Sequence, residues 1–151
     1  MTADLPGYAT PPAGDPPVAD VMTRDLHFLS LEDTVQQAAQ LMAELDAGAL
    51  PVGSSRDLQG MITDRDILIR VVALGLDAAA TPVQAVMSAD VLTCRETDPA
   101  LAVARTLAGR QVRRAPVLDG DGRVVGMVGI RALLDLLGRD RLPVDAPGPL
   151  R

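Results

Sequence analysis

The segment VADVMTRD, residues 18–25, returns as VQAVMSAD at residues 83–90, a displacement of 65 positions. Self-similarity at a fixed displacement is the mark of a repeated structural unit. The register holds onward: Asp33 pairs with Asp98, Ala39 with Ala104, Pro51 with Pro116 and Val52 with Val117. One extra residue in the loop DGDGR moves the displacement to 66, after which Gly60, Met61, Arg65 and Leu68 align with Gly126, Met127, Arg131 and Leu134. The chain therefore divides into a Pro/Gly-rich arm expected to be flexible (1–16), a first repeat (17–80), a second repeat (81–138) and a loose tail (139–151).

Each copy predicts the same succession of elements. A short apolar segment (26–31; 91–94) leads to a helix, a strand around a Pro-Val pair, a turn, a second strand and a second helix. For the first helix, Asp33 reads as the N-cap with Gln36 three residues on, and Val35, Ala38, Ala39, Met42 and Leu45 keep helical spacing until Gly48. In the second copy Asp98 reads as the cap, with Pro99 at the first helical position. Strands at 49–52 and 58–63 flank the SSRD turn, and their counterparts flank DGDGR. Pro17 and the pair Thr81-Pro82 start the short helices that carry Met22 and Met87. This is an α/β chain, of α+β type, with two similar halves. Neither half alone offers much core, so the two sheets are expected to pack about a pseudo-twofold axis and leave a cleft between them.

Composition narrows the functions. With 151 residues, 48% of them hydrophobic, the chain can bury a core, but Tyr8 and Phe28 are its only aromatics, so a bound base would lie against aliphatic side chains. The net charge is −6 and all 14 basic residues are arginine. Without a basic excess nucleic-acid binding is not expected, although an arginine cluster can hold a single phosphate group. No stretch of about 18 apolar residues and no signal-peptide pattern is present, so neither membrane insertion nor export is expected. Cys94 is the single cysteine and His27 the single histidine, which leaves neither a disulfide, nor a metal set, nor a triad; a cytoplasmic, non-enzymatic protein fits. Cys94 reads as a small buried group, His27 as structural or exposed, and Met22 and Met87 as packing residues.

The stretch GMITDRDILIR, residues 60–70, places Thr63 and Asp66 three residues apart where an apolar strand meets a helix. A threonine at the N-cap with an acid at N3 is nearly a capping box, and an acid there suits the helix dipole. The same pair can serve a ligand, because a carboxylate accepts from both vicinal hydroxyls of a ribose. Spacing alone leaves both readings open. In the second copy the block is GMVGIRALL, with Gly129 for Thr63 and Ala132 for Asp66.

The paired VM segments, the ALPV and APV strands and the GMITDRDI block resemble the cystathionine β-synthase (CBS) domain, arranged as the tandem pair called a Bateman module. The resemblance covers about residues 17–138 and is greatest to small stand-alone bacterial CBS-pair proteins. It implies an adenosine-containing ligand, such as AMP, ADP, ATP or S-adenosylmethionine, in the cleft, with no obligatory cofactor. By the same resemblance Thr63 and Asp66 hold the ribose, Arg113 and Arg114 from VRRAPV face phosphate, and Thr23, Ala49 and Leu50 border the base. From position alone Arg65, one residue into the helix, reads as a phosphate contact or a solvated surface arginine, and Arg113 and Arg114 also read as exposed arginines at a strand entrance. Gly129 and Ala132 leave the second copy without the ribose groups, so one competent nucleoside site is expected.

The helix after TDRD, IleLeuIleArgValValAlaLeu at 67–74, is apolar nearly all round, and AlaLeuLeuAspLeuLeu at 132–137 repeats the feature. A homodimer built from these helices is expected, with burial in a larger complex as the alternative. Two functions follow. One is a regulatory sensor acting on an unidentified protein target. The other is a ligand-independent dimeric interaction scaffold whose nucleotide sites have decayed.

Overall fold

The computed structural model describes residues 15–138; the arm up to residue 14 and the tail from residue 139 lie outside the described residues. Residues 15 and 16, expected as part of the arm, are tied to the fold. The Pro16 carbonyl accepts from the Ala100 N–H at 2.8 Å, and Asp15 Oδ1 from the Leu101 N–H at 3.4 Å.

The first copy contains α1 (Val35–Leu45), β1 (Ala49–Gly53), β2 (Leu58–Thr63) and α2 (Asp64–Ile67), which continues as a π-helical turn over Leu68–Val72. The second contains β3 (Cys94–Arg95), α3 (Ala100–Gly109), β4 (Arg114–Leu118), β5 (Val124–Gly129) and α4 (Ile130–Leu136). β1 and β2 pair antiparallel with Ala49 opposite Thr63; β4 and β5 pair the same way with Arg114 opposite Gly129. β3 adds in parallel to β4. Its first-copy counterpart is only an isolated parallel bridge, Leu29 to Val52, so the apolar segment 26–31 forms no named strand.

The helix caps differ from expectation by one residue. Thr34, not Asp33, is the N-cap of α1: its Oγ1 accepts from the Gln37 N–H at 3.1 Å, while Gln37 Oε1 accepts from the Thr34 N–H at 2.8 Å. Asp33 turns back instead, and its Oδ2 accepts from the Ser30 N–H at 2.8 Å. Asp98 does the same with the Arg95 N–H at 2.8 Å, which leaves Pro99 as the N-cap of α3 and Ala100 as its first residue. α1 ends at the left-handed Asp46 (φ 53°), two residues before Gly48. The equivalent Gln111 (φ 57°) follows α3, so both copies leave this helix through the same turn.

Packing crosses the repeat boundary. Val18 and Met22, from the start of the first copy, are buried with Val103, Leu107 and Val117 of the second. Val83 and Val86, from the start of the second, are buried with Val35, Val52 and Ile62 of the first. Backbone bonds fasten both exchanges: Thr23 with Met127 (2.8 and 2.9 Å) and Ser88 with Met61 (2.8 and 2.9 Å). A third apolar cluster, Ala49, Met61, Val91 and Met127, fills the seam where the two sheets face each other. The halves are related by a pseudo-twofold, and a cleft opens on each side of that seam.

Candidate functional site

The register of β1 and β2 decides what reaches the first cleft. Antiparallel pairing brings Ala49 opposite Thr63, and the Asp64 N–H donates to the Gly48 carbonyl at 2.9 Å, so the start of α2 is laid against the start of β1. Thr63 and Asp66 form a complete capping box: Thr63 Oγ1 accepts from the Asp66 N–H at 3.0 Å, and Asp66 Oδ2 accepts from the Thr63 N–H at 2.9 Å. The capping reading of the pair is therefore correct as local structure. It does not exhaust the pair, because among the described residues Asp66 Oδ1 carries no hydrogen bond and a carboxylate oxygen has two acceptor positions.

The cleft, of about 440 Å³, lies between the repeats. Its floor is the buried part of the seam: Ala49, Met61 and Val91. One wall belongs to the first repeat, with the half-buried Thr63 and Asp66 and the exposed Asp64 and Arg65. The opposite wall belongs to the second repeat and runs from Arg110 to Arg114, with all three of its arginines exposed. Thr63, Arg65, Asp66, Arg113, Arg114 and Ala49 thus border one space, although up to 65 positions separate them in the chain. Arg114 reaches the Gly48 side of the cleft. A Cβ on Gly48 would stand 3.1 Å from Arg114 Nη1 and 3.1 Å from Asp64 Oδ2, so the absence of a side chain at Gly48 leaves room for both charged ends.

The second cleft, of about 260 Å³, is the pseudo-symmetry mate of the first. Thr23 stands for Ser88, Asp25 for Asp90, Leu45 for Arg110, Asp46 for Gln111 and Met127 for Met61. Thr23 and Leu50 line this second cleft and not the first; Ala49 and Arg114 border both. The structure therefore separates Thr23 and Leu50 from the ribose pair. Gly129 holds the place of Thr63 and has no side-chain cap to offer α4; a Cβ there would lie 3.8 Å from Arg114 Cγ. The stem of Arg114 passes over the strand end where the second copy has lost its hydroxyl.

Sequence reasoning missed Asp64, Asp90, Arg110 and Gln111 among the residues bordering the first cleft. A usable signal existed for Arg110: its repeat mate, Leu45, belongs to the apolar stripe of α1, and an arginine in that register breaks the stripe. The singletons behave structurally. Cys94 is buried with Sγ 3.9 Å from the Pro116 carbonyl; burial, and secondarily the charge of Asp98, pushes its thiol up to about 12. Such a thiol is no nucleophile. His27 Nε2 lies 3.2 Å from Asp25 Oδ1. Among the described residues no three His, Cys, Asp or Glu side chains are grouped to hold a metal ion, and no helix is long and apolar enough to cross a membrane.

Comparison with known proteins agrees with the duplicated architecture. The profile of the CBS domain matches residues 18–73 and again 83–139. The CBS domain-containing protein YhcV of Bacillus subtilis is 39% identical over 119 residues, covering 79% of this chain and 81% of that one. Hypoxic response protein 1 of Mycobacterium tuberculosis is 35% identical over 111 residues, covering 72% and 76% respectively. A crystal structure of Hypoxic Response Protein I, which carries two coordinated zinc ions, superposes with a TM-score of 0.67 over 80% of this chain and 98% of that one. The CBS domain pair of protein MJ0100, solved with 5′-methylthioadenosine and S-adenosyl-L-methionine, shares the fold at a TM-score of 0.73, with 24% identity over 83% of this chain and 98% of that one. With both repeats matched in order and the same fold around the seam, the chain belongs to the CBS domain family, as a tandem pair.

Proposed function

We propose that this CBS pair is a regulatory sensor whose first cleft takes an adenosine-containing ligand. Thr63 and Asp66 hold the ribose, Arg65, Arg113 and Arg114 meet phosphate, and the aliphatic floor with Ala49 takes the base. The observation that supports this reading is the composition of a single cleft: a carboxylate with a free oxygen on one repeat faces guanidinium groups on the other. Thr23 and Leu50 border the second cleft and drop out of the base pocket on this reading. A ligand touching both walls favours the arrangement of the repeats that brings the walls to it. That differential affinity is what a sensor requires.

The scaffold reading draws on one observation of its own. The Thr63–Asp66 box is satisfied without any ligand, and the second copy has discarded both residues while keeping its fold. Thermal unfolding separates the two readings. With AMP, ADP, ATP, S-adenosylmethionine or a cyclic dinucleotide at roughly 100 times its dissociation constant, wild type gains about 2.7 kcal/mol from a ligand that binds only the folded state. Asp66→Asn keeps an acceptor for the Thr63 N–H and loses the carboxylate, so the gain is expected to fall by at least half while the unliganded Tm stays near wild type. A folded wild type that responds to none of these compounds returns the pair to capping alone and leaves the scaffold.

A further inference from the structure

The two clefts share one architecture and carry opposite charge on the equivalent wall. In the first cleft that wall bears Arg110, Arg113 and Arg114; in the second the same three positions are Leu45, Gly48 and Ala49, with the acidic Asp46 in place of Gln111. The fold does not require arginines there, since the mate of each is a small or apolar residue and the turn is the same. None of Arg65, Arg110, Arg113 and Arg114 has a carboxylate within ion-pair distance among the described residues, in a chain where acids outnumber bases 20 to 14. Four arginines border one cleft with no ion pair among the described residues.

Three acids line the same cleft: Asp64, Asp66 and Asp90. Asp66 accepts from the Thr63 N–H and Asp64 from the Arg65 N–H at 2.8 Å, both on the first-repeat wall, and Asp90, the mate of Asp25, ends the VQAVMSAD segment at the start of the second repeat. Three of the four arginines are thus gathered on the second-repeat wall, while Arg65 sits beside the carboxylates of the first. A mononucleotide needs one or two guanidinium groups for its single phosphate. Three on one short segment, plus Arg65 opposite, suit a row of phosphates, and that wall offers no partner to a sulfonium or ammonium. Arg110 stands at the end of α3, where the left-handed Gln111 turns the chain into β4, and it borders the same cleft as Arg113 and Arg114 from a different element.

We infer that the first cleft selects ligands bearing two or more linked phosphates over adenosyl ligands that are neutral or cationic, and that Arg110 is the residue setting this preference. The inference rests on the adenosyl reading for the nucleoside end but not for the phosphate end. Calorimetric titration of the full chain tests it, with inorganic tripolyphosphate, ATP, AMP, adenosine and S-adenosylmethionine against wild type and Arg110→Gln. Wild type is expected to bind ATP at least tenfold more tightly than AMP and far more tightly than S-adenosylmethionine. Arg110→Gln, an exposed change outside the core, is expected to cut ATP and tripolyphosphate affinity about tenfold and AMP affinity less than twofold. If S-adenosylmethionine or adenosine binds as tightly as ATP, or if Arg110→Gln leaves the ATP-to-AMP ratio unchanged, the inference is overturned while the adenosyl reading survives. If tripolyphosphate binds as well as ATP and weakens in Arg110→Gln, the arginine row stands and the adenosyl reading falls. Binding of none of the five overturns both.

Discussion

Two glycines carry the crossing of the repeats. At Gly126 a Cβ would stand 2.7 Å from the Thr23 carbonyl oxygen and 2.8 Å from Met22 Sδ; at Gly60 it would meet the Ser88 carbonyl oxygen at 2.7 Å and Met87 Sδ at 2.8 Å. The thioether can swing aside, but the carbonyl belongs to backbone that is itself bonded to Met127 or Met61. Gly126→Ala therefore forces the exchanged segment off β5, at a cost of about 1–3 kcal/mol for overpacking. Chemical denaturation is expected to show that loss, whereas Gly109→Ala, where nothing lies within 4 Å and φ is not positive, is expected to be neutral or slightly stabilising. Equal stability of Gly126→Ala and Gly109→Ala would show that the crossing is loose. The sequence marked these glycines only as matched letters of two GM blocks. Their reason lies in what passes over them from the other repeat, which spacing along one segment does not reveal.

At the scale of the element, the strands were legible and the caps were not. The Pro-Val pairs and the turns SSRD and DGDGR set β1, β2, β4 and β5 nearly to the residue, because the turn residues between them leave little freedom. Asp33 with Gln36 and Thr34 with Gln37 both satisfy the capping pattern, and the sequence contains no term to choose between them. The choice is made by the turn before the helix, which claims the Asp33 carboxylate for the Ser30 N–H. Thr34→Ala removes the acceptor of the Gln37 N–H and is expected to cost about 1 kcal/mol in urea unfolding. Thr34→Ser, which retains the hydroxyl, is expected to recover most of it. A similar loss in both variants would mean that the threonine methyl, not its hydroxyl, stabilises α1. The same limit explains Thr23: family pattern assigned it to the base pocket, but segment exchange puts it against Met127 at the second cleft, which Leu50 borders from β1.

Among the described residues one surface of the whole molecule stays unbalanced. Leu68, Ile69, Val72, Leu74 and Leu76 are 57%, 47%, 62%, 68% and 48% exposed, on and just after the π-helical turn, while Val71 alone of that turn is buried. The second copy was expected to repeat this face and does not: Leu133 and Leu137 are buried, and Leu134 and Leu136 are half-covered against the second core. The uncovered face is thus confined to one copy, and each chain would bring a single patch to an isologous contact. Arg70 is the one charged residue between positions 67 and 76, and its guanidinium is directed to the Val86 carbonyl at 3.0 Å. On this argument a second copy covers the patch, and sedimentation velocity of wild type is expected to give a dimer. The double substitution Leu68→Asp with Val72→Asp, at exposed positions, is expected to give a folded monomer with unchanged far-UV circular dichroism. A dimer that survives it, with the fold intact, would place self-association elsewhere and leave this face for another protein. Because α2 begins at Thr63–Asp66 and runs directly into the patch, ligand in the first cleft and association at this face bear on one helix, and nucleotide titration during sedimentation reads whether the two are coupled.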